Sequence, residues 1–229
     1  WDPAHDSHIE QTYDSANLGD KAVTKTALQR ELGLDFASDR PLLGFVGRLV
    51  EQKGLEIMLP VLEELLEGPA QLVVLGRGEP RYEEALQALA ARHSGDVALV
   101  LSYDEALAHR IEAGADIFLM PSLFEPCGLN QLYSLRYGTP PVVREVGGLA
   151  DTVVHATEKH LQSGEATGFV FRQPEPRAFL EAAQQAIALW SDRETWQAIQ
   201  RSGMEEDFSW QRSARRYLDL YRSLTPATE

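Results

Sequence analysis

The chain is poor in cysteine, in positive charge and in long apolar runs. A single thiol, Cys127, among 229 residues excludes an internal disulfide framework and leaves a reducing compartment as the expected setting. The cytoplasm is the default. The six histidines, at 5, 8, 93, 109, 155 and 160, show no metal-ligand spacing, so no metal site is expected. No apolar stretch approaches the roughly 20 residues that span a bilayer, and no basic-then-apolar leader opens the chain. A membrane is therefore not an expected partner. Lys and Arg number 21 against 35 Asp and Glu, giving a formal charge of −14. Such a surface repels polyanions, so nucleic acid is not an expected partner either. A small anion remains possible wherever the few cations gather in one cleft.

What is present is a core. Hydrophobic residues make up 44% of the chain, enough to bury an interior without disulfides or metal. The opening stretch, residues 1–20, has no apolar period and reads as a surface-hugging lead-in. It starts on Trp1 without an initiator Met, and we expect a fragment of a longer protein, with residues 21–229 as one ligand-binding domain. A helix is predicted over Lys21–Leu32, ended by Gly33 as a left-handed cap. Then strands and helices alternate. Strands are predicted over Leu42–Gly47, Gln71–Leu75, Val97–Ser102, Ile117–Pro121, Pro141–Arg144 and Gly168–Phe171. Between them, helices are predicted over Gly54–Leu66, Tyr82–Arg92, Asp104–Ala113 and around Asn130–Tyr137, and residues 176–224 hold two or three more. Apolar strands alternating with amphipathic helices predict an α/β fold: a doubly wound, Rossmann-like parallel sheet with helices on both faces and further helices at the C-terminal end. Ligands of such sheets bind beyond the carboxyl ends of the strands.

Several loops at those ends carry chemistry. Gly47-Arg48-Leu49-Val50-Glu51-Gln52-Lys53-Gly54 sets two cations on one strand-to-helix loop, where Arg48 and Lys53 can meet a phosphate. Gly76-Arg77-Gly78 falls short of a dinucleotide fingerprint and reads as a plain turn. Tyr103 follows the third strand, placed either to stack on a base or to pack half-buried. The densest cluster is Ser122-Leu123-Phe124-Glu125-Pro126-Cys127-Gly128-Leu129-Asn130. It puts a carboxylate beside a turn that opens a helix, whose first N–H groups, at Gly128, Leu129 and Asn130, are suited to a pyrophosphate. Glu125 is placed to accept from sugar hydroxyls and to face positive charge developing at an anomeric carbon. Cys127 has no neighbouring His and is expected as a small buried residue, not a nucleophile. Gly147-Gly148 is expected to admit a bulky ligand close to the backbone. His109 is expected to be structural.

Together GFVGRLVEQKG, the GRG turn, HRIEAGADIFLMPSLFEPCGLNQLYSLRYGTPPVVREVGGLADTV, TGFVF and DFSWQRSARRYLDLY resemble the C-terminal domain of the bacterial and plant glycogen/starch synthases, glycosyltransferase family 5. The resemblance implies one lobe of a two-domain GT-B enzyme. Such an enzyme moves glucose from ADP-glucose to the non-reducing end of an α-1,4-glucan with retention of configuration, and ADP is released. It assigns Arg48 and Lys53 to the phosphates, Glu125 to the acidic residue, Tyr103 to base stacking and Cys127-Gly128-Leu129-Asn130 to the pyrophosphate turn. Asn130 stands where the family usually has Thr. Tyr133 stands where many GT-B relatives have a second Glu. No cofactor is expected beyond the donor sugar nucleotide. The partners so implied are ADP-glucose or ADP, the glucan acceptor and the N-terminal domain that these residues do not include. Without that domain the chain is expected to bind ADP weakly and not to elongate glucan. Two alternatives remain: a UDP-glucose-dependent GT-B transferase, and a non-catalytic nucleotide- or glucan-binding scaffold.

Overall fold

A computed structural model describes residues 1–224; the last five residues of the predicted 21–229 domain lie outside the described part. After the lead-in, α1 covers Lys21–Leu32 and stops at Gly33, whose φ of 70° is left-handed, as predicted from sequence. Then come β1 (Leu42–Val46), α2 (Leu55–Met58), α3 (Leu62–Leu66), β2 (Gln71–Leu75), α4 (Pro80–Arg92), β3 (Val97–Val100), α5 (Glu105–Gly114), β4 (Ile117–Met120) and α6 (Asn130–Arg136). They are followed by β5 (Pro141–Arg144), α7 (Gly147–Thr152), α8 (Glu158–Ser163), β6 (Phe169–Phe171), α9 (Pro176–Trp190), α10 (Arg193–Glu205) and α11 (Trp210–Leu224). The predicted helix over Gly54–Leu66 is divided into α2 and α3 by a 3-10 turn at Leu59–Val61. Pro60 lacks the N–H that an uninterrupted helix would need there. The third strand ends at Val100, two residues short of the prediction, and α8 was not anticipated.

The sheet order is β3-β2-β1-β4-β5-β6, and every pairing is parallel. This is the doubly wound topology read from the sequence, with its reversal between β1 and β4. Alternate strand residues feed two cores. Leu43, Phe45, Leu72, Val74, Ile117, Leu119 and Phe169 join one with Leu62, Leu86, Phe179 and Trp196. Leu42, Val73, Phe118, Met120 and Val143 join the other with Leu28, Ile111 and Leu149. The sheet is therefore covered on both sides, which accounts for its almost continuous apolar strands.

A third cluster fixes the lead-in. Ile9, Tyr13 and Leu18 are buried with Ala113, Tyr137 and Met204. Tyr13 donates to the Tyr137 carbonyl at 2.7 Å, and Lys21 Nζ donates to the Ala113 carbonyl at 2.6 Å and to Thr139 Oγ1 at 2.7 Å. Burial lowers the Lys21 ammonium to about 7. At the other end, α11 has no buried residue, and its Trp210, Tyr217, Leu220 and Leu224 side chains are exposed.

Candidate functional site

The reversal between β1 and β4 places residues 47–54 and 121–129 on the two sides of one crevice, at the carboxyl ends of the strands. Gly54 enables their approach. Its φ is 79°, and a Cβ there would lie 1.9 Å from the Pro121 carbonyl oxygen. Gln52, which the sequence reading passed over, joins the loops: its carbonyl accepts from the Leu123 amide at 2.9 Å and its side-chain amide donates to the Phe124 carbonyl at 3.3 Å. Arg144, at the end of β5, adds bonds to the Ser122 carbonyl (2.9 Å) and the Leu123 carbonyl.

Across this crevice Lys53 Nζ donates to Glu125 Oε2 at 2.7 Å, and Ser122 Oγ lies 3.4 Å from the same oxygen. Both side chains are largely shielded, 22% and 11% exposed. The carboxylate is engaged by Lys53 and does not cap α6, which has no side-chain cap. Arg48 is exposed and is held by Gln52 Oε1 at 2.9 Å.

Gly147 and Gly148 lie directly behind this loop. A Cβ on Gly147 would lie 2.1 Å from the Glu125 carbonyl oxygen, and one on Gly148 would lie 2.0 Å from that of Cys127. The absence of a Cβ thus lets the neighbouring backbone pass, and the Gly148 amide donates to the Glu125 carbonyl at 3.2 Å. Cys127 is exposed, against the expectation of burial, because it sits on the rim of the turn with only its carbonyl tied inward, to Gln131 Nε2 at 2.9 Å. Gly128, with φ of 73°, and Leu129 complete the turn into α6. The first amides of a helix have no intrahelical acceptor and face outward along its axis. Asn130 spends its side-chain amide on the Val46 carbonyl at 2.8 Å, which ties the start of α6 to the end of β1.

Gly47, Arg48, Tyr103 and Asn130 line one cavity of about 520 Å³, which also reaches Gly76 and Arg77 of the supposedly plain turn. Tyr103 is 95% exposed, which makes it a free platform at the mouth of β3 and not a packing residue. Trp1, Glu112 and Tyr133 are among the wall residues that were not read from the sequence as contributors. Trp1 is stacked on the His109 ring at 3.6 Å and on the Tyr133 ring at 4.2 Å, bringing the lead-in into the cavity wall. His109 is buried and bonded to Asp6 at 2.8 Å, a structural role as anticipated. Burial of Asp6 is outweighed by the Tyr137 hydroxyl, the His8 amide and the His109 ring, which hold its carboxyl below the usual range. A larger cleft of about 640 Å³, beside β6, contains Glu145, His155, Arg172 and Glu181 and none of the predicted site residues. Among the described residues, no three His, Cys, Asp or Glu gather as for a metal ion, and no helix is long and apolar enough to cross a membrane.

Residues 32–202 match the family model for glycosyl transferases group 1. The chain belongs to this glycosyltransferase family. Within the group 1 family it is 53% identical over 224 residues to a glycogen synthase 2 of Nitrosococcus oceani, covering 98% of this chain and 46% of that protein. It is 52% identical over 226 residues to a glycogen synthase of Anaeromyxobacter dehalogenans, with 99% and 47% covered. The catalytic domain of starch synthase IV from Arabidopsis thaliana, solved with ADP and acarbose bound, superposes with a TM-score of 0.89 at 36% identity. That superposition covers 97% of this chain and 46% of the plant domain, in agreement with one GT-B lobe. The chain thus spans about half the length of the curated group 1 relatives it matches.

Proposed function

We propose that this chain is the donor-binding lobe of a retaining glucosyltransferase that moves glucose from ADP-glucose to the non-reducing end of an α-1,4-glucan. The observation that carries this reading is the Lys53–Glu125 pair set across the switch-point crevice, between the Arg48 loop and the start of α6. The names of the relatives and the ADP and acarbose bound to the plant domain support it. As the bond between glucose and the diphosphate breaks, negative charge grows on the departing phosphate. Arg48, Lys53 and the amides of Gly128, Leu129 and Asn130 are suited to stabilise it, and groups fixed in advance do so without reorganising. Glu125 faces the opposite charge, the positive character that develops at the anomeric carbon. Tyr103 offers its free ring to the adenine. In this scheme the cations neutralise the leaving group, and neither a metal nor another cofactor enters.

The relatives are about twice as long as this chain, and we place the acceptor-binding half of the enzyme in the remainder of such a longer protein, in the cytoplasm. Calorimetric titration tests the reading. ADP and ADP-glucose are expected to bind, UDP-glucose at least several-fold more weakly, and Lys53→Ala is expected to weaken both adenine ligands. Maltooligosaccharide binding that ignores Lys53→Ala, with no nucleotide binding, would establish a glucan scaffold instead. Glucan extension by the 229-residue chain alone would refute the division of labour between the two halves.

A further inference from the structure

The side of α5 that meets the cavity carries Ala108 and Glu112, one helical turn apart. Glu112 is 1% exposed, and its Oε2 has no hydrogen-bond partner among the described residues. Its surroundings satisfy only its main chain, whose carbonyl accepts from Thr139 Oγ1 at 2.5 Å and from Lys21 Nζ at 3.4 Å. The Lys21 ammonium is directed mainly at the Ala113 carbonyl and Thr139 Oγ1, and its charge reaches the carboxyl only through space. A buried carboxyl oxygen without a donor is unfavourable, and native structures keep few of them. Here the unpartnered group belongs to a residue in the wall of a cavity whose other lining residues include Arg48 at the phosphate loop and Tyr103 at the mouth of β3.

We propose that Glu112 accepts a hydrogen bond from the nucleoside half of the donor nucleotide, from a ribose hydroxyl or from the exocyclic amine of the base, and so determines nucleoside specificity. This rests on the reading that the cavity takes ADP. A nucleoside diphosphate with its phosphates at Gly47 and Arg48 and its base on Tyr103 runs along this cavity, and its nucleoside carries the N–H and O–H donors that the protein does not supply to Glu112. Burial holds the carboxyl well above its usual range, and a ligand donor would supply the hydrogen bond that its own surroundings do not.

Calorimetric titration of the 229-residue chain, with melting curves to verify folding, compares the unaltered protein with Glu112→Leu and Glu112→Gln. The ligands are ADP, 2′-deoxy-ADP, 3′-deoxy-ADP, purine riboside 5′-diphosphate, which lacks the amine, and inorganic diphosphate. Glu112→Leu is expected to weaken ADP about tenfold, as for a buried hydrogen bond whose partner is left unsatisfied, and to leave inorganic diphosphate unchanged. Glu112→Gln, which keeps one acceptor, should fall between. The analogue missing the donating group should bind the unaltered chain weakly and lose its disadvantage relative to ADP in Glu112→Leu, which distinguishes ribose from base. ADP affinity within twofold of the unaltered chain in Glu112→Leu overturns the assignment, as does an equal loss for ADP and inorganic diphosphate. If Glu112→Leu fails to fold, undiminished discrimination among the analogues by Glu112→Ala, which removes both acceptors, overturns it equally. Should the unaltered chain bind no ADP at all, the proposed function falls first and this assignment with it.

Discussion

Lys53 Nζ stands 2.7 Å from Glu125 Oε2, so the cation we propose for a phosphate is held by the carboxylate we propose for the sugar. Ligand phosphate must compete with that carboxylate. Glu125→Gln keeps the shape and removes the charge, and we expect it to raise ADP affinity by about three- to tenfold in calorimetry, an ion-pair contribution of ordinary size. Turnover in a full-length enzyme carrying the same change should drop by about 10² to 10³, the usual loss for one preorganised charge-stabilising group. Weaker ADP binding by Glu125→Gln would mean that the pair does not restrain Lys53.

Tyr103, at 95% exposure, contributes almost nothing to the core. Tyr103→Ala should therefore leave the urea unfolding midpoint within error, while ADP affinity falls about tenfold through loss of a stacking surface. If stability and affinity decline together, the ring has a packing role.

Gly54 combines a φ of 79° with a Cβ position 1.9 Å from the Pro121 carbonyl oxygen. Gly54→Ala should lower unfolding free energy by about 2–3 kcal/mol, from the left-handed backbone and the collision together. It should also separate the β1 and β4 loops, so ADP binding should weaken in parallel. A variant as stable as the parent would show that the two loops can part without penalty.

Asp6 Oδ2 accepts from the Tyr137 hydroxyl at 2.6 Å and lies 2.8 Å from His109 Nδ1. Its carboxyl is held below 3.8 in the folded chain, so the stability it contributes is complete above that value and disappears as pH falls through the lower folded value. Asp6→Ala should cost about 2 kcal/mol at pH 7. The gap between variant and parent, followed by urea unfolding from pH 7 downward, should close at the acid end. A gap independent of pH would assign the loss to packing alone.

The alternation of strands and helices was legible because apolar runs, glycine punctuation and helical spacing are local properties, and the doubly wound order follows from the handedness of crossovers. The loops that carry Arg48, Lys53, Glu125 and Asn130 were legible for the same reason: each follows a strand. Glu112 was not. A charged residue in an amphipathic helix reads as solvent-facing, and its burial beside Lys21 and Thr139 depends on contacts distant in sequence. Trp1 lay in a stretch without periodicity, and its place between His109 and Tyr133 depends on contacts more than a hundred residues away. At the double glycine, the close packing of the Glu125 and Cys127 backbone was not legible, because it joins loops about twenty residues apart.

The lack of any buried side chain on α11 affects how the molecule melts. A fifteen-residue helix that buries none of its side chains is marginal in water. Warming should therefore unwind it ahead of the main transition. Far-ultraviolet ellipticity should slope early, while the near-ultraviolet bands of Trp190 and Trp196, 4% and 2% exposed, hold level until the sheet itself gives way.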